Sequence, residues 1–122
     1  MKNLIAFFEI PATDFERAVK FYESVLNVQL YAMDCDDEKM AFFPEEDGQC
    51  PGAISWSKDF YPSKDGVLIN LQVENMEKSI EAIEKNGGSL TRPKTKIEAE
   101  GRGYFALFID SEGNRVGLYS DQ

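Results

Sequence analysis

Glu9 and Tyr119 are the residues of this chain best placed to move a proton. Glu9 closes the apolar run "NLIAFFEI", residues 3–10. A carboxylate on a strand packed into a core has its pKa raised by desolvation, toward the range of a general acid or base. The competing reading is structural: Glu9 hydrogen-bonds to backbone or to Tyr119, and Tyr119 either donates a proton beside it or simply finds a partner in the fold. Strand alternation puts Phe7 with Glu9, Leu68 with Asn70, and Gly117 with Tyr119 on equivalent faces, and Gly52, Ile54 and Trp56 form a fourth wall. Those residues describe a mostly apolar cavity with one acid, one amide and one phenol, which suits a small hydrophobic or aromatic ligand unless the chain's own aromatics fill it. Trp56, the only tryptophan, either stacks on a planar ligand or sits in the core. Arg102, in "EGRGYF", belongs to a Gly-flanked loop that either grips an anionic group or ends in solvent.

Other chemistry is excluded by what the chain lacks. It has no histidine, and so neither the commonest general base nor the commonest transition-metal ligand. "DCDDE" and "DSEGNR" do not carry the calcium-loop spacing and read as turns. "GRG" is too short for a phosphate loop. Cys35 lies in an acidic turn that disfavours its thiolate. The net charge of −9, from 13 basic and 22 acidic residues, repels nucleic acid and is compatible with a cationic small molecule, although negative charge also simply confers solubility. No apolar run approaches the about 20 residues of a membrane span. The N-terminal stretch lacks a small-residue cleavage site, so a cytoplasmic protein is expected, with Cys35 and Cys50 as free thiols.

A chain of 122 residues is one domain's worth, and it writes one pattern twice. "NLIAFFEI" is a strand ended by Pro11. Thr13 to Glu16 reads as a capping box, and Phe15, Ala18, Val19, Tyr22, Val25 and Leu26 form the stripe of a helix that stops at Asn27. The strands "VQLYAM", "KMAFF" and "GAISWS" follow. "GVLINLQV", an Asn75-capped helix striped by Met76, Ile80 and Ile83, "NGG" as its stop, and the strands "SLTRP", "YFALFID" and "RVGLYS" repeat the order. First strands and helices align 61 positions apart (Phe7 with Leu68), and last hairpins 65 apart (Ala41 with Ala106, Gly52 with Gly117). The fold class is therefore α+β: tandem βαβββ modules at 3–57 and 67–120, a linker at 58–66, and a loop "KTKIEAEGRG" in the second module.

The doubled βαβββ unit resembles the vicinal oxygen chelate superfamily, which includes glyoxalase I, bleomycin-resistance proteins and extradiol dioxygenases. "DFERAVKFYESVLN" after the first strand and "IEKNGGSLTRP" followed by "FIDSEGNRVGLYS" carry the likeness. The resemblance implies curved mixed sheets that form a cup around a ligand, within one chain or across a homodimer. It also implies metal ligands, usually His or Glu, on the first and last strands of each module. Carried onto this chain, those points fall on Phe7, Leu68, Gly52 and Gly117, with Ser55 as neighbour of the third if the register slips. None of the four offers a donor side chain, so no metal and no cofactor is expected. The function expected is binding of a small molecule without the family's metal. Two alternatives stand beside it: a metal-independent lyase or isomerase that uses Glu9 as general base, and sequestration of a bleomycin-type antibiotic.

Overall fold

In the computed structural model, which describes residues 4–98 and 103–122, two amphipathic helices hold two sheets together. The first, α1 (Phe15–Leu26), buries Ala18, Phe21, Tyr22 and Val25, as its stripe requires. Its N-cap is Asp14 and not Thr13, because the Asp14 carboxylate accepts the Arg17 N–H at 3.1 Å. Asn27 ends it in the left-handed conformation at φ 53°. The second, α2 (Met76–Lys85), is capped by Asn75, whose side chain accepts from the Lys78 N–H, and buries Met76, Ser79 and Ile83.

Each module forms a mixed four-stranded sheet of the same order. In the first, β1 (Phe8–Pro11) runs parallel to β4 (Gly52–Ser57), which continues antiparallel to β3 (Glu38–Phe42) and then β2 (Tyr31–Cys35). In the second, β5 (Asn70–Gln72) runs parallel to β8 (Arg115–Ser120), which continues through β7 (Tyr104–Ile109) to β6 (Ser89–Lys96). β6 runs three residues past the sequence expectation, so Lys94–Lys96 are strand and the loop is shorter than "KTKIEAEGRG". β5 is the shortest strand, far shorter than the apolar run "GVLINLQV".

The helix-bearing faces of both sheets share one core. Ile10, Ala41 and Ile54 from the first sheet join Leu71, Ala106, Phe108 and Leu118 from the second, with Phe21, Tyr22 and Ile83 between them. Phe21 lies 6.0 Å, centroid to centroid, from Phe108, and Ser79 Oγ donates to the Val25 carbonyl at 3.0 Å. Each large apolar side chain buried there contributes about 1.5–3 kcal/mol.

The turn between β7 and β8 locks the modules together. Asp110 accepts the Glu112 and Asn114 N–H groups at 2.9 Å through one oxygen. Its other oxygen accepts the Tyr22 hydroxyl at 2.6 Å and the Asn114 amide at 3.0 Å. Asn114 also donates to the Pro11 carbonyl at 2.7 Å and accepts the Ser63 N–H. Gly113 supplies the φ of 101° the turn needs. The residues of "DSEGN" thus have a structural account: they tie α1, β1 and the linker to the second sheet.

Candidate functional site

Strand register decides which side chains share a face. Phe8 is paired with Gly52, Glu9 with Ala53, Ile10 with Ile54 and Pro11 with Ser55. Gly52, Ile54 and Trp56 therefore lie on the helix side, opposite Glu9, and Ile54 is fully buried in the core. This corrects the fourth wall expected from the sequence: Ala53, Ser55 and Ser57 share the face of Glu9. The internal repeat shows why. Ala41 is paired with Ile54, and Ala106 with Leu118, so the offset of 65 holds for β3 against β7. It falls to 64 for β4 against β8, because the first hairpin loop is one residue longer. A one-residue slip sends every side chain of a strand to the other face.

The glycines do not leave room for a ligand. A Cβ on Gly52 would meet the Phe8 ring at 2.7 Å, and one on Gly117 would meet the Asn70 Oδ1. First-strand side chains fill both spaces, with an aromatic ring in the core and an amide on the open face.

That open face of the second sheet holds a groove of about 640 Å³ lined by Leu68, Asn70, Gln72, Ile97, Phe105, Leu107 and Tyr119. Leu68, Asn70 and Tyr119 were legible as its residues, and Gly117 is paired with Asn70, whose amide covers it. Sequence reasoning missed Gln72, Ile97, Phe105 and Leu107, although alternation from Asn70 would have found Gln72, and the pairing of β7 with β8 brings Phe105 beside Tyr119 and Leu107 beside Gly117. Arg92, on the adjoining strand, lies over the ring of Phe105, one of the lining residues.

Glu9 and Tyr119 are not brought together. Tyr119 donates to Asp121 at 3.1 Å and accepts the Gly103 N–H at 3.2 Å. Glu9 is exposed, not buried, which removes the desolvation argument for it as a base. It accepts the hydroxyl of buried Ser55 at 2.8 Å. It lines a separate, smaller groove of about 250 Å³ with linker residues Phe60 and Tyr61 and with Arg115. Phe7 is half-exposed at the edge of the first sheet. Trp56 carries Lys39 over its ring at 5.6 Å, beside the start of α1, on the side away from Glu9. Arg102 lies outside the described residues.

The family's metal does not fit the residues at its four points. Phe7 and Leu68 carry no donor, Gly117 is covered by the Asn70 amide, and the third point, once the register is corrected, is Ala53, which carries none either; the neighbouring Ser55 hydroxyl is already given to Glu9. Divalent ions need several N, O or S ligands converging on one point. Among the described residues no three His, Cys, Asp or Glu side chains cluster to provide them.

Comparison with known proteins agrees with this architecture. Residues 4–118 match the Glyoxalase/Bleomycin resistance protein/Dioxygenase superfamily. A glyoxylase-like domain-containing protein of Didymella fabae is 32% identical over 109 residues, covering 87% of this chain and 84% of its own length. A lactoylglutathione lyase of Haemophilus influenzae is 26% identical over 122 residues, covering 86% of this chain and 90% of its own. A glyoxalase I mutant from Zea mays superposes with a TM-score of 0.74 at 22% identity over 94% of this chain. This chain spans only 45% of the maize chain, and at such identity the likeness establishes fold alone.

Proposed function

The chain belongs to the glyoxalase/bleomycin resistance protein/dioxygenase superfamily, and from that premise we propose that it binds a small molecule without the superfamily's metal. One observation carries the reading. The groove on the second sheet is of ligand size and largely apolar, with a few polar groups, Asn70, Gln72 and Tyr119, converging on it. The place where a last-strand ligand would stand is taken by an amide that can hydrogen-bond but does not hold a divalent ion well.

The reading includes a homodimer in the cytoplasm. The open face of the first sheet exposes Phe7, Tyr31 and Met33, at 52%, 69% and 44%, and a second copy laid over it would bury them and extend the groove. Cys35 and Cys50 are unpaired thiols, as a reducing compartment would keep them. Native mass spectrometry of the purified protein, with elemental analysis, tests all of this. The expected result is a dimer that retains an organic ligand and carries substoichiometric metal. Stoichiometric zinc, nickel, manganese or iron would overturn it.

One observation favours a lyase or isomerase instead. Glu9 is solvent-facing with a single described hydrogen bond, from Ser55, so a carboxylate oxygen is open to a substrate proton. Sequestration of a bleomycin-type cation draws on the net charge of −9, but the groove lining contains no carboxylate.

A further inference from the structure

Arg92 stands on β6, opposite Leu107, between two irregularities of the β6–β7 register. Its register places it on the open face with Leu107 and Phe105, two walls of the groove. Its guanidinium lies over the Phe105 ring at 5.4 Å, and its Nε is 3.4 Å from Thr95 Oγ1. No carboxylate is within ion-pair range of it among the described residues, whereas Arg17, Lys85 and Lys94 each have one. Lys94 and Lys96 do not share its position: Lys94 packs over Tyr104 and pairs with Glu77, and Lys96 is paired with Tyr104 in the strand register. Asp121, which follows β8, accepts the Tyr119 hydroxyl.

In a chain of net charge −9, Arg92 is thus a planar cation, unpaired by any described carboxylate, beside a mostly apolar groove. Guanidinium groups bind carboxylates in a bidentate fork, and a stacked aromatic ring holds the fork in place. We propose that the ligand of this groove is a small organic anion. Its carboxylate meets Arg92, its apolar or aromatic body lies along Phe105, Leu107 and Leu68, and its polar substituents meet the Asn70 and Gln72 amides. The assignment rests on the groove being the binding site, as proposed above, and sets the ligand's charge opposite to that of a cationic antibiotic.

Three probes of matched size test it: phenylacetate, phenylacetamide and phenethylammonium, titrated into the intact protein and followed by NMR shifts of Phe105, Leu107 and Tyr119. Phenylacetate should bind about tenfold more tightly than phenethylammonium, as one charge-assisted contact at a half-wet site allows. Arg92→Met, which keeps a side chain over Phe105, should erase that preference and leave phenylacetamide within about twofold. Arg92→Lys, with charge but no fork, should retain part of it. Arg92 is exposed, and an unchanged melting temperature would confirm that the variants fold. Equal or tighter binding of phenethylammonium, or a preference that survives Arg92→Met, overturns the anion assignment while leaving the groove as a binding site. If none of the three probes shifts these resonances, the groove itself is refuted as the site, and the assignment with it.

Discussion

Glu112, at the last hairpin of the second module, accepts the N–H of Asp14, the cap of the first module's helix, at 2.7 Å. The same carboxylate takes the Thr13 N–H at 3.0 Å and the Arg17 guanidinium at 2.7 and 3.0 Å. It does from 98 residues away what the third residue of a capping box does locally. The glutamate side chain is fully buried while Arg17 remains half-exposed, so the charge is compensated where water cannot help. Glu112→Ala should destabilise the protein by about 1–3 kcal/mol, because it leaves the Thr13 and Asp14 N–H groups at the helix cap and Arg17 without this partner. Glu112→Gln should cost less. Urea denaturation measures both, and an alanine variant as stable as the parent would show that the cap is dispensable.

The same carboxylate gives stability a pH dependence. Burial by itself would raise its pKa, but the Arg17 hydrogen bond, the Asp14 N–H, the Ser111 hydroxyl and the Arg17 charge outweigh burial and hold it below the ordinary 4.5. The folded state therefore binds this proton less readily than the unfolded chain. Its contribution is complete above the unfolded value and is lost as pH falls through the folded one. Stability of the parent should decline as pH drops below about 4.5, and Glu112→Gln should flatten that part of the curve. Parallel curves for parent and variant would sink the assignment.

Tyr22 offers a test at the opposite end of the pH scale. Burial, then the charge of Asp110 and its hydrogen bond, push the phenol well above its ordinary value of 10.0. The unfolded chain releases this proton first, so stability should fall as pH rises past about 10. Ultraviolet titration should show one of the five tyrosines ionising only with unfolding, and Tyr22→Phe should remove that phase. Tyr22→Phe should also cost about 1–2 kcal/mol at neutral pH, less than loss of Asp110 itself, since Asn114 still reaches the same oxygen.

Asn70 and Gly117 should behave as one unit. The Asn70 amide occupies the space of a Gly117 Cβ, so Gly117→Ala forces the amide out of the groove or strains the strand pair, at about 1–3 kcal/mol. In Asn70→Ala the same glycine change should be nearly free. A double-mutant cycle measures the difference, and additive effects would mean that the two side-chain positions do not compete.

How far the sequence reaches is visible in these same residues. The helices were legible because their stripes and their stops, Asn27 and the glycines of "NGG", are local signals, and β8 because its pattern is continuous. Glu112 was not, because its partners lie in the other module and no spacing within "DSEGN" reveals a contact 98 residues distant. The groove was half legible. Leu68, Asn70 and Tyr119 follow from alternation, whereas Arg92 sits between register irregularities that alternation does not predict. The wall assigned to Ile54 failed for a physical reason: matching the glycines of the two copies ignored one extra loop residue, and period-2 geometry turned that into the wrong face.

The register itself can be tested with neighbouring residues of β4. Ile54 is fully buried against Ile10 and Ala41, and Ser55 faces Glu9. Ile54→Ala removes volume from the core shared with α1, so about 2–4 kcal/mol should be lost. Ser55→Ala removes one hydroxyl whose partner is exposed and can turn to water, so the loss should be about 1 kcal/mol or less. With the alternative register these outcomes exchange: the serine would be in the core and the isoleucine on the open face. Chemical denaturation of the two variants separates the cases, and a costly Ser55→Ala beside a mild Ile54→Ala would return Ile54 to the ligand face.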